Sequence, residues 1–106
     1  MAIALVNFCP NQSYIISAST TTANQLIAQP SIPGGQPYTD LYVYNAAAAV
    51  AYIGWGTASN TAATNANIAV APGNTVILNM GSGYNYVAAL LASSTGNVYI
   101  SVGNGN

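Results

Sequence analysis

The chain has 106 residues, with Lys+Arg 0, His 0 and Asp+Glu 1, for a formal net charge of -1 at pH 7. Charged residues make up 1% of it, against about 25% in an ordinary soluble domain. With no cation to neutralise phosphates, nucleic-acid binding and attraction to an anionic membrane lose their main driving force; with one carboxylate and no His, a metal site and general acid–base chemistry lack their groups, so neither an enzyme nor a cofactor is expected.

Taken in chain order, the pattern is that of strands. Ala2 to Phe8 sets Ile3 and Leu5 opposite Ala4, Val6 and Phe8. It overlaps the apolar start Met1 to Val6, which breaks at Asn7 and has no basic n-region, a weak signal-peptide pattern. Ser13 to Ala18 places Tyr14, Ile16 and Ala18 on one face. Residues 30–37 hold three of the five prolines, which excludes a central strand and predicts a long connection or exposed loop. Leu41 to Tyr44 sets Leu41 and Val43 against Tyr42 and Tyr44. The Ala-rich stretch 46–51 lies between aromatic β-formers and has no charged i,i+4 support for a helix. It reads as two strands with a turn near Asn45 to Ala48. Ala58 to Asn67 is small, polar and aperiodic, a surface loop.

Pro72-Gly73-Asn74 is placed for a type II turn between Ile68–Val70 and Thr75–Met80, whose Val76, Leu78 and Met80 share a face. Gly81-Ser82-Gly83 and Ser94-Thr95-Gly96-Asn97 read as hairpin turns. Between them, Tyr86 to Ala92 is apolar on both faces, as a central strand is. Asn97 to Val102 alternates, with Val98, Ile100 and Val102 on one side and Asn97, Tyr99 and Ser101 on the other. Seven to eight short strands with frequent turn signals predict an all-β fold. The expected form is one small antiparallel β-sandwich or barrel, jelly-roll or Ig-like, spanning residues 1–106.

Few residues carry chemistry. Cys9 is the single cysteine, so no internal disulfide forms, and it reads as a small buried hydrophobe. Asp40 reads as a solvated turn-end carboxylate, with a cation at a subunit interface or a partner's Arg as the alternatives. The triplets Gly54-Trp55-Gly56, Gly81-Ser82-Gly83 and Gly103-Asn104-Gly105 do not extend to a phosphate-binding motif and read as turns or chain-end flexibility. The longest strongly apolar run, Ala46 to Ile53, is far shorter than the roughly 18 residues of a membrane helix.

Water-facing polarity must come from neutral groups: Ser, Thr, Asn and Gln total 35 residues. Such a surface has no charge repulsion between molecules, and near-zero net charge favours association. That suits a subunit held in an assembly, so a homo-oligomer is expected. The contact candidates are aromatic, because Tyr and Trp combine apolar area with a hydrogen-bonding end. Tyr38, Tyr42, Tyr44, Tyr52, Trp55, Tyr84 and Tyr99 are the candidate partner-contact residues; ordinary cross-strand packing is the competing account of them.

The stretch from Leu41 to the end resembles short virion proteins of tailed bacteriophages that decorate or cement capsids. The likeness lies in Leu41-Tyr42-Val43-Tyr44-Asn45, the Ala- and Gly-rich strand Val50 to Gly56, the turn Ala71-Pro72-Gly73, the strand Tyr84 to Ala92, and the closing Val98-Tyr99-Ile100-Ser101-Val102-Gly103-Asn104-Gly105. It is a pattern of strands and turns, and residues 1–40 add nothing to it. The resemblance implies a small oligomeric β-sandwich in the virion, assembled in the host cytoplasm and bound to the major capsid protein or another virion protein. Two alternatives remain open: a carbohydrate-binding or host-adhesion module using Trp55, tyrosines and Asn side chains, and a tail, collar or fibre-base subunit.

Overall fold

The computed structural model describes residues 9–27, 31–32, 36–37, 40–65, 67–81 and 83–104. The expected strand at Ala2 to Phe8 and the candidate contact Tyr38 lie outside the described residues. Ten strands run β1 Cys9–Ala18, β2 Ala23–Leu26, β3 Ser31–Ile32, β4 Gln36–Pro37, β5 Asp40–Asn45, β6 Ala51–Gly56, β7 Ile68–Val70, β8 Thr75–Asn79, β9 Tyr86–Leu91 and β10 Gly96–Asn104. Eight of them form two antiparallel four-stranded sheets, ordered β1-β10-β5-β8 and β2-β9-β6-β7. We call these sheets A and B. There is no helix among the described residues. The fold is the all-β sandwich that alternation predicts.

The sheet order settles which sandwich. An Ig-like domain keeps several chain neighbours side by side in one sheet. Here β6 and β7 are the only successive sandwich strands that pair, and every other connection passes from one sheet to the other. The pairs β1–β10, β2–β9, β5–β8 and β6–β7 are all antiparallel. The chain is thus one long double ribbon, turned back at residues 57–67 and rolled up, so that β10 meets β5 and β9 meets β6. That is the connectivity of the double-sheet jelly roll.

Two expectations are corrected here. Gly81–Gly83 and Ser94–Asn97 are not hairpin turns, because β8 and β9, and β9 and β10, lie in different sheets. They are corners, and backbone bonds run through the corners where strands stop. Ile27 N donates to Asn85 O at 2.8 Å, and Leu91 N to Ser19 O at 2.8 Å. Residues 30–37 are also not wholly irregular: Ser31 pairs with Pro37 and Ile32 with Gln36 in a small ribbon of its own. The ribbon admits proline because it is a two-stranded edge with no central strand.

The Pro72-Gly73 turn forms as expected. Gly73 has φ 77°, and Asn74 N donates to Ala71 O at 3.1 Å, as a type II turn requires. It links β7 to β8 across the two sheets.

The core lies between the sheets. Sheet A contributes Ile16, Leu41, Val43, Val98, Ile100 and Val102, all buried. Sheet B contributes Ala51, Ile53, Val70, Val87, Ala89 and Leu91. One amide joins them. Asn45, at the end of β5, is fully buried. Its Nδ2 donates to Ala49 O at 2.8 Å and Val70 O at 3.0 Å, and its Oδ1 accepts from Ala47 N at 2.9 Å. The Ala-rich segment turns at this point because the Asn45 side chain supplies the partners that a strand or helix otherwise would.

Candidate interaction surface

Strand alternation gives each sheet an outer face, and the two faces differ. On sheet A, the registers align Ile15, Tyr99, Tyr44 and Thr75 in one rank across the four strands. The next rank is Ser13, Ser101, Tyr42 and Ile77. Ile15 is 55% exposed, Tyr99 39% and Tyr44 38%, high values for large apolar side chains. The Tyr44 and Tyr99 rings stack, with centroids 6.1 Å apart and planes at 29°. This cross-strand pair fixes both rings on the face. Ser13 and Ser101 are joined through their hydroxyls at 2.7 Å. Asp40 opens β5 between Gly103 and Asn79, and Asn79 Nδ2 donates to its Oδ1 at 2.9 Å. The single carboxylate therefore sits at one end of the face, away from the Ile15–Tyr99–Tyr44 rank.

On sheet B, the loop 57–67 folds back over the strands. Asn24 Nδ2, on the outer side of β2, donates to Ser59 O at 2.8 Å and Thr61 O at 3.0 Å. Ala63 N donates to Thr22 Oγ1 at 2.8 Å. The outward positions of β6 under this loop are Gly54 and Gly56. A Cβ on Gly54 would lie 3.1 Å from Asn67 Oδ1, and one on Gly56 2.6 Å from Thr61 Oγ1. Glycine at both sites lets the loop settle on the sheet, and Ala88 beside Gly54 is fully buried. The protein covers the middle of one outer face with its own chain, while the Ile15–Tyr99–Tyr44–Thr75 rank of sheet A stays exposed and Ser101, Tyr42 and Ile77 beside it are half-buried.

The aromatic candidates divide accordingly. Tyr42, Tyr44 and Tyr99 come together on the outer face of sheet A. Tyr52 is on the outer face of sheet B, paired with Leu90. Trp55 faces inward with Ala51 and Ile53 and packs partly against the core, as does Tyr84 in the β8–β9 corner. Trp55 also borders a cavity of about 270 Å³ lined by Ile53, Gly54, Asn67 and Ile68. Sequence reasoning did not single out Ile15 and Ile77. Their signal was available: each interrupts the polar side of an alternating strand. Leu26, 53% exposed on β2, is a further such residue.

In comparison with known proteins, the chain matches no family model, no curated protein and no solved structure.

Proposed function

We propose that this chain is a non-enzymatic structural component of a virion: a capsid decoration or cement protein that adheres to the major capsid lattice through the outer face of sheet A. The observation that carries this reading is the uncovered rank Ile15–Tyr99–Tyr44 on a molecule almost without charge. Burying such a face yields roughly 25 cal/mol per Å² of apolar area, before the cost of association. The hydroxyls and amides around it supply register. The jelly-roll connectivity agrees with this role, since capsid domains use it, but lectins and cupins use it too. The likeness of residues 41–106 to phage decoration proteins favours the capsid.

Two measurements test the reading. Purified particles of the virus that encodes the chain are washed in NaCl up to about 1 M, where the Debye length is near 3 Å. An apolar, uncharged contact holds, and release by salt overturns it. Tyr44→Asp with Tyr99→Asp places two charges on the face and abolishes rebinding to stripped particles. Rebinding at the original level would remove sheet A from the contact. Copies per particle, counted by mass spectrometry, separate hundreds on a capsid from tens in a tail, collar or fibre base.

A further inference from the structure

The outer face of sheet B is left open at one end. There the rank Leu90–Tyr52–Ala69 crosses β9, β6 and β7. A groove of about 550 Å³ lies over it, within the size range of small-molecule sites. Its floor is Tyr52 and Leu90; one wall is loop residues Thr64 and Asn65, and Thr20 stands at the β1–β2 corner.

The groove is built and held. The loop wall is fixed to the corner by Ala63 N donating to Thr22 Oγ1 at 2.8 Å. It is braced internally by Thr64 N donating to Asn67 Oδ1 at 2.7 Å. No lining residue carries a charge. An aromatic ring beside an aliphatic side chain suits the apolar C–H face of a pyranose. Thr hydroxyls and an Asn amide donate and accept, as ring hydroxyls do. A phosphate or carboxylate ligand would find no cation here.

We propose that this groove binds an uncharged saccharide, with Tyr52 as the stacking platform and Thr20, Thr64 and Asn65 as hydroxyl partners. The site is separate from the sheet A face and does not rest on the capsid reading. It also narrows the sugar-binding alternative, which named Trp55 and the tyrosines together, to Tyr52, a residue outside the core cluster.

The test is an NMR titration of the full chain with neutral hexasaccharides of glucose, galactose and N-acetylglucosamine, and with a sulfated hexasaccharide as the charged control. The expected result is saturable shifts of the Thr20, Asn65 and Leu90 amides with at least one neutral sugar and none with the sulfated one. Tyr52→Ala weakens that binding at least tenfold, while Tyr52→Phe, which keeps the ring, weakens it less than threefold. Unchanged amide dispersion certifies that each variant is folded. Thr20→Val is a second variant, at an exposed corner, and weakens binding severalfold. No shift with any neutral sugar at 10 mM, shifts confined to Tyr44 and Tyr99, or full binding by folded Tyr52→Ala each overturns the proposal.

Discussion

At the scale of single residues, Asn45 has the largest consequence for the fold. It is a polar side chain with no exposure, and all three of its hydrogen bonds go to backbone atoms of the β5–β6 corner and the end of β7. Its own backbone is also tied to the β7–β8 turn: Asn45 N donates to Asn74 O at 3.0 Å, and its carbonyl accepts from Gly73 N at 2.8 Å. Asn45→Leu keeps the number of side-chain heavy atoms and removes every side-chain bond, which leaves Ala47 N and the Ala49 and Val70 carbonyls without this partner. An orphaned buried group costs about 1–3 kcal/mol, so the expected loss is about 3 kcal/mol in urea unfolding. Asn97→Ala, on an exposed position of β10, should stay within about 0.5 kcal/mol. Equal effects from the two would mean that the corner does not depend on the amide. Asn45 was visible in the sequence only as the Asn that ends an apolar strand. Nothing local separates a buried, fully bonded Asn from a turn Asn at the surface. Trp55 is the opposite case. The order Ala51, Ile53, Trp55 already put it on the inward side, but its ring chemistry drew the reading toward a ligand.

At the scale of elements, strands were legible and sheets were not. Val98, Ile100 and Val102 alternate with Asn97, Tyr99 and Ser101 because one side of β10 meets the core and the other meets water, and that contrast is written residue by residue. Whether Gly81–Gly83 joins two strands in one sheet or carries the chain over to the other depends on pairing between residues far apart in sequence. A Gly-rich turn serves both outcomes. The same holds for β8, an edge of sheet A among the described strands. Thr75–Asn79 is the outer strand of sheet A, with Val76 and Leu78 against the core and Ile77 half-buried on the other side. It carries neither charge nor proline, the usual guards of an edge. A second strand can add there through main-chain hydrogen bonds. Ile77→Lys should therefore shift the protein toward monomer in sedimentation velocity over a concentration series, with its unfolding midpoint close to the parent's. An unaltered distribution of species would assign association to another surface.

At the scale of the whole molecule, the ribbon rolls up so that β10 meets β5 and β9 meets β6, while electrostatics contributes almost nothing. Stability depends on pH only through groups that bind different numbers of protons in the folded and unfolded states. The side chains here include one carboxylate and no His, Lys or Arg. No side-chain type in the chain normally titrates between pH 5 and 7. The unfolding free energy should thus stay within about 0.5 kcal/mol across that window, since the linkage slope vanishes where proton binding is equal in both states. NaCl should behave the same way up to about 0.5 M, because there are no ion pairs to screen. Ammonium sulfate differs: it is excluded from protein surface and strengthens apolar burial, so it should raise the midpoint and also promote association through the sheet A face. The decisive comparison is Tm in the three solutions at one pH. A molecule held by apolar burial and neutral hydrogen bonds gives two equal values and one higher. A fall in NaCl would reveal an ionic contribution that the sequence has no residues to make.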